Sequence, residues 1–308
     1  MSDLSNQECL ILKNIVNDHL IEKRRSRRWK IFFRFCFLII FCFFMFILFG
    51  QKYLNTNNNL IAVVELNDTI SKENNSYNNL LIGLKNAFKN HNVKAVIVKA
   101  NSPGGSPVYS DLINHEIYQF KKDYPKVPLY FVIEDICASG CYYAAVAADK
   151  IYANSDSIVG SIGVISPNFG ATELIKKLGI DSRLQIAGKY KSMGYPFEPD
   201  QQEYTLIRQQ ILDQVHQDFI KAVKMGRGKH LIANPDLFTG RYWLGGQALT
   251  LGLIDGIASV EDLARQNNNA KIVNYTVSPS SFDKFKKLTV SAFDASSYQL
   301  LSNHQFLL

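Results

Sequence analysis

Val93 to Ala148 reads VKAVIVKANSPGGSPVYSDLINHEIYQFKKDYPKVPLYFVIEDICASGCYYAAVAA, and its hydrophobic pattern changes period along the way. Val93–Lys99 is a β-branched apolar run and Tyr109–Lys121 has helical spacing. Val127–Ile133 is a second apolar run, and Ser139–Ala148 reads as a helix of small and apolar residues. Two strands joined through a helix need a crossover, which makes the pair parallel and packs helices on the sheet. Working outward, Leu60–Asn67 looks like another buried strand and Leu80–Asn90 like a helix. Asp200–Lys224 is a longer helix, with Ile207, Ile211, Val215 and Phe219 recurring as a packing stripe. The fold class expected is α/β, with no internal repeat.

The 308 residues are 47% hydrophobic and 20% charged, the balance of a globular chain with a real core. The net charge of +7 is concentrated, because residues 1–52 hold nine Lys/Arg against four acids. The remainder is nearly neutral, too weakly basic to track phosphates, so nucleic-acid binding is disfavoured.

Ile31–Gly50, IFFRFCFLIIFCFFMFILFG, is long enough as a helix to match the hydrocarbon thickness of a bilayer. Its one charge, Arg34, lies one turn from the edge and can snorkel. Basic residues cluster before the run, from Lys23 to Lys30, and Lys52 alone follows closely. Positive-inside reasoning therefore puts the N-terminus in the cytoplasm and the rest outside. The run is longer than a signal-peptide core and lacks a small-x-small cleavage pattern, which favours a retained single-pass anchor. The expected organisation is a basic segment (1–30), the span (31–50), a polar linker (51–59), a soluble domain (60–266) and a tail (267–308). Of five cysteines, only Cys137 and Cys141 belong to the soluble domain. Their spacing without a nearby His is a poor zinc pattern, so they are expected as small buried packing residues with no obligatory disulfide.

Asn101-Ser-Pro-Gly-Gly-Ser106 sits between strand and helix, where glycine N–H groups can approach a ligand. A phosphate cradle wants Lys-Ser/Thr directly after the glycines; here Ser106-Pro107-Val108 follows, and oxyanion stabilisation suits the turn better. Ser139, in Ala-Ser-Gly at the head of the next helix, reads first as an ordinary N-cap, a common place for serine, and as the alternative a nucleophile with small neighbours and the Gly140 N–H beside it. A serine nucleophile needs a base. His91, His115, His216 and His230 lie in no glycine-rich or strand-end setting, and each reads as a solvated helix or loop residue. Ala187-Gly-Lys-Tyr-Lys-Ser-Met-Gly-Tyr-Pro196 instead offers Lys189 and Lys191. A lysine works as a base if burial brings its pKa from about 10.4 to roughly 7–8, and Tyr190, Met193, Tyr195 and Pro196 are expected to supply that dry setting. Between serine and lysines, Ser155–Ile165 holds hydroxyls able to orient a neutral amine.

The ordered set SPGG, ASGCYYAAVAADKI, VGSIGVI, GKYKSMG, FTGRYWLGGQAL and LGLIDG resembles the S49 family of Ser/Lys-dyad peptidases, to which signal peptide peptidase A belongs, from about Leu60 to Ala258. The resemblance implies a Clp-protease/crotonase-like fold, a homo-oligomer, and cleavage of hydrophobic peptides such as remnant signal peptides at the bacterial cytoplasmic membrane, with no metal or other cofactor. It places the nucleophile at Ser139, the general base at Lys191 and the base-assisting serine at Ser161. The oxyanion amides fall at Gly105 and Gly140. In related enzymes the lysine reaches the serine from an adjacent subunit. One departure is Cys141, where the family usually has Gly. The Clp-type cousins take a histidine from the stretch that here reads VGSIGVISPN, without one, which weakens a Ser/His/Asp reading. Two other readings are a catalytically silent membrane scaffold of the same fold and a crotonase-type acyl-CoA enzyme; the latter fits poorly with an extracytoplasmic domain.

Overall fold

The structure is a computed structural model that describes Lys23 and residues 27–45 and 59–277. The chain divides into two units, Met1–Asn57 and Asn58–Leu308. In the first, residues 27–45 form a helix, α1. Among the described residues no helix is long and apolar enough to cross a membrane. The expected span 31–50 continues past Met45 into residues outside those described, as do most of the basic segment, the linker up to residue 58 and the tail from residue 278.

The second unit runs β1 (Leu60–Asn67), α2 (Ser76–Lys89), β2 (Val93–Ser102), α3 (Pro107–Asp123), β3 (Leu129–Ala138), α4 (Gly140–Ala145), β4 (Lys150–Ala153) and β5 (Ile158–Gly160). It continues with α5 (Thr172–Lys177), α6 (Gln202–Arg227), a 3-10 turn (Gly228–His230), β6 (Tyr242–Leu244), α7 (Gly245–Thr250), β7 (Gly256–Ile257), α8 (Val260–Gln266) and β8 (Lys271–Asn274). The sheet order is β6-β5-β3-β2-β1-β8, with β4 on the first half of β3 and β7 beside β4. Among the described residues only β5 and β6 pair antiparallel. The crossover argument holds for β1, β2 and β3, whose registers are parallel. The sheet also takes in β8, beyond residue 266, as the parallel neighbour of β1.

Strands that read as continuous apolar runs are those covered on both faces. Ala62, Val64 and Leu66 of β1 and Val96, Val98 and Ala100 of β2 face the larger core, against Leu80 and Leu84 of α2 and Ile113 and Ile117 of α3. The alternate residues Ile61, Val63, Ala95 and Ile97 face a smaller core closed by Val260, Leu263 and Ala264 of α8. Each large side chain buried this way contributes roughly 1.5–3 kcal/mol.

Three elements differ from the sequence expectation. α4 stops at Ala145 because tight turns, Ala147 N–H to Ala144 O and Ala148 N–H to Ala145 O, redirect the chain into β4. Of the stripe on α6 Phe219 is buried, Ile207 and Val215 are half-buried and Ile211 is 54% exposed; the helix joins the core through Phe219, Ala222 and Val223 in its second half. Cys137 and Cys141 are buried as expected but are joined in a disulfide, which corrects the reading of unbonded packing residues. The reason is geometric. β3 ends, the chain turns sharply at Ser139 and α4 begins, which brings the two Cα atoms to 5.1 Å, inside the range a disulfide spans.

The C-terminus of α6 is tied to the sheet by an ion pair. Arg227 donates to both carboxylate oxygens of Asp255, at 2.7 and 3.1 Å, and through Nε to Gly252 O at 2.9 Å. Asp255 also accepts the Ile151 N–H of β4 at 2.7 Å. Burial raises the Asp255 pKa, but the Arg227 and Ile151 hydrogen bonds outweigh it and hold the carboxyl below its ordinary value.

Candidate active site

Ser139 joins β3 to α4 with φ 51° and ψ −123°. A side chain with a Cβ rarely adopts that conformation, at a cost of order 1–3 kcal/mol. Backbone contacts hold it there. Ser139 N–H donates to Gly160 O of β5 at 2.8 Å, and Tyr143 N–H of α4 donates to Ser139 O at 3.0 Å. The side chain makes no capping hydrogen bond. The N-cap alternative raised by the sequence therefore does not account for this serine: a sharp strand-to-helix elbow presents Oγ without engaging it, an arrangement suited to a nucleophile.

The Gly-Gly turn lies against this elbow. Gly104 has φ 102°, and a Cβ there would come within 2.6 Å of Gly140 N and 2.9 Å of Ser139 Cβ, so only glycine fits. A Cβ on Gly140 would lie 3.1 Å from Gly105 N. The two amides thus converge beside Ser139, and among the described residues neither N–H has an acceptor. Ile70 fixes the turn from the outer side: its N–H donates to Gly104 O at 2.7 Å and its carbonyl accepts Ser106 N–H at 2.8 Å. That leaves the Gly105 N–H facing the other way. Ser102, fully buried, accepts Gly104 N–H at 3.2 Å. Two convergent unpaired amides next to a free hydroxyl can stabilise an oxyanion formed on a carbonyl carbon that the serine attacks.

Ser161 follows the carbonyl that holds Ser139. Its φ is 52°, and its N–H donates to Arg241 O at 3.0 Å. The histidine reading needs correction at one position. His216 of α6 is half-buried, and its Nε2 lies 3.1 Å from Ile162 O, one residue past Ser161. Its helical setting was visible in the sequence, but nothing in the spacing pointed to residue 162.

The lysine loop divides cleanly. Lys189 Nζ donates to Glu203 Oε1 at 2.8 Å and lies 4.9 Å from the centre of the Tyr190 ring. Its hydrogen bond to Glu203, then that to Tyr190, holds its pKa above the ordinary lysine value, so it stays charged. Lys191 is exposed, and among the described residues its Nζ has no hydrogen-bond partner, Ser139 included. The expected dry setting is not formed within one chain, since Tyr190 is 43% and Tyr195 36% exposed. What anchors the loop was not read from the sequence: buried Ser192 sits 3.3 Å from Tyr204 OH, which donates to Lys189 O at 2.9 Å. From Ile165 to Ile186 the segment leading into the loop leaves Ile165, Phe169, Leu174, Leu178 and Ile180 exposed. Among the described residues no group of His, Cys, Asp and Glu is arranged to hold a metal ion.

The family model described as Peptidase family S49 matches residues 121–274, half of the 308 residues. A Brucella abortus protein named Na(+)/H(+) antiporter NhaA is 38% identical over 70% of this chain, but the match covers 29% of that protein. An Enterococcus faecium protein provisionally named signal peptide peptidase SppA is 32% identical over 71% of this chain and 64% of its own length. The chain thus spans less than two thirds of the length of either relative. Among solved structures, the 1510-N membrane-bound stomatin-specific protease with a substrate peptide covers 76% of this chain and 98% of its own, at 17% identity and a TM-score of 0.43.

Proposed function

The chain belongs to peptidase family S49, and from that premise we propose that it is a membrane-anchored serine endopeptidase that cleaves hydrophobic peptides, remnant signal peptides among them, with Ser139 as nucleophile and Lys191 as general base. The observation that carries this reading is the elbow itself: a strained serine, free of capping duty, beside the unpaired N–H groups of Gly105 and Gly140. In the proposed reaction neutral Lys191 takes the proton of Ser139 Oγ as it attacks the scissile carbonyl. The two amides hold the oxyanion, each worth roughly 3 kcal/mol in acyl-transfer sites. Lys191 then protonates the leaving amine, and water hydrolyses the acyl-enzyme. Ser161 orients the lysine.

Lys191 reaches Ser139 from a neighbouring copy of the chain in this reading. Its exposure, and the exposed apolar residues of the segment before it, support a homo-oligomer that covers them. Residues 31–50 anchor the chain in the bacterial cytoplasmic membrane with the second unit outside. The buried disulfide supports that side, because disulfides persist in oxidising compartments and are rare in the cytosol. The hydrophobic substrate class is supported by the name of the Enterococcus relative.

The test is cleavage of a fluorogenic hydrophobic peptide by wild type, Ser139→Ala and Lys191→Ala, from about pH 6 to about pH 10, since a lysine base works only when neutral. The expected result is wild-type activity that rises with pH and is lost in both variants. A folded, oligomeric wild type that cleaves nothing on a broad peptide panel refutes the reading and leaves a silent membrane scaffold of the same fold.

A further inference from the structure

The disulfide closes around the proposed nucleophile. Cys137 is the second-to-last residue of β3 and Cys141 lies in the first turn of α4. Both are 0% exposed, and the covalent ring they form has Ser139 at its centre, flanked by Ala138 and Gly140. A non-glycine residue keeps the Ser139 conformation only where its surroundings impose it. Two backbone hydrogen bonds do so, one to Gly160 O and one from Tyr143 N–H; the disulfide adds a covalent restraint across the same residues. Burial alone would be served by any small apolar pair. The bond needs a further reason, and its place in the chain supplies one.

We propose that the Cys137–Cys141 disulfide is a positioning clamp that holds Ser139 Oγ and the Gly140 N–H in the attacking arrangement, so that peptidase turnover depends on the oxidised state of this pair. This rests on the peptidase reading above. Reduction proceeds by exchange with a dithiol. One thiolate of the reductant attacks a cysteine sulfur, the S–S bond breaks, and a mixed disulfide forms. That cleavage frees the partner cysteine as a thiolate; the second thiolate of the reductant then attacks the reductant's own sulfur in the mixed disulfide and displaces the cysteine held there. Two electrons and two protons pass from the dithiol to the pair, leaving two cysteine thiols and an oxidised cyclic disulfide. Two unbonded thiols occupy more room than a bonded pair, and the fully buried site offers them no exit to solvent. The elbow between them has to give. Ser139 then relaxes from its positive φ, and Gly140 N–H leaves its place beside Gly105.

The experiment uses the full-length chain in detergent micelles, purified without reductant, treated with dithiothreitol, and then reoxidised with glutathione disulfide. Alkylation and peptide mass mapping report the state of Cys137 and Cys141. Cleavage of a fluorogenic hydrophobic peptide gives kcat and KM, an acylating serine probe gives the labelling rate of Ser139, and far-UV circular dichroism reports folding. Reduction is expected to lower kcat by about tenfold or more, with KM and the far-UV spectrum unchanged, where tenfold corresponds to ~1.4 kcal/mol of lost transition-state stabilisation. Reoxidation restores it. The Cys137→Ala/Cys141→Ala variant starts at the low kcat and does not respond to dithiothreitol. If both thiols alkylate after reduction while kcat and labelling stay the same, the clamp is wrong and the peptidase reading stands. If reduction melts the domain, the disulfide is a general brace and the clamp is equally wrong. The clamp also fails if both cysteines alkylate in the untreated chain. If the oxidised, folded chain neither cleaves nor labels, the peptidase reading falls and takes the clamp with it.

Discussion

Replacing Gly140 with alanine tests the convergence of the two amides directly. A Cβ on Gly140 would collide with Ser110 Oγ, lie 3.3 Å from Ser110 Cβ, and lie 3.1 Å from Gly105 N. Ser110 is fully buried and donates to Ser106 O at 2.8 Å, so its hydroxyl cannot swing away without losing a bond. Overpacking of this kind costs about 1–3 kcal/mol. Two relaxations are open. Ser110 can give way, at about 1 kcal/mol for its hydrogen bond, or the start of α4 can draw back from the Gly-Gly turn. The second separates the amides and removes one donor from the oxyanion, a loss of about 10²–10³ in kcat. Gly140→Ala is therefore expected to melt lower and to lose most of its turnover. Adding Ser110→Ala removes the hydroxyl that the methyl strikes. The double variant should recover most of the lost melting temperature but little of the kcat, because the contact with Gly105 N remains. Thermal unfolding by circular dichroism and peptide-cleavage kinetics on the two single variants and the double read the separation. A Gly140→Ala chain that melts and cleaves like wild type, or a double variant with full kcat, refutes the placement of these amides.

Lys191→Arg should abolish turnover, because a guanidinium cannot act as a base at accessible pH; Lys189→Gln should retain it, since Glu203 holds Lys189 charged and the proposed reaction does not use it. Activity kept in the first or lost in the second, in the same cleavage assay, would exchange their roles. Arg227→Ala should destabilise the second unit by about 3–5 kcal/mol in a urea melt, because it leaves the Asp255 carboxylate buried without its partner; a loss under 1 kcal/mol, far below that range, would mean the pair is dispensable. Asp255 also predicts a pH effect. Its folded pKa lies below its ordinary value, so its contribution is complete above the unfolded carboxylate pKa of about 3.9 and is lost as pH falls through the folded value. Asp255→Asn should lower stability at neutral pH and flatten the acid limb below about pH 4, and an unchanged acid limb would count against this account.

The parallel β1–β2–β3 core was legible because each strand is a short apolar run and each crossover a helix with its own period. α3 begins at Pro107, two residues before the expected Tyr109, at the first-turn position that a proline's missing N–H suits. The Gly-Gly turn and Ser139 were legible as candidates from residue type and order. What the sequence left open at Ser139, N-cap or nucleophile, turns on one missing hydrogen bond, and no pattern of neighbours encodes that. The stripe on α6 misled because helical periodicity shows that a face is apolar without saying what covers it; Ile211 lies exposed in the single chain. His216 was passed over because its partner, Ile162 O, is 54 residues away.

By itself the sequence determined the order of elements, the parallel crossovers, the glycines that open the turn and the membership in a peptidase family, since these depend on local steric preference, hydrophobic period and motif order. Only the tertiary structure decided that the Gly105 and Gly140 amides meet beside Ser139, that Cys137 and Cys141 are bonded across it, that Glu203 takes Lys189, and that Lys191 lies exposed with no partner among the described residues. Each of these depends on where a sharp turn aims a side chain or on groups brought together from separate elements. Such distances are set by the packing of the whole sheet against its helices, which no local stretch of the chain contains.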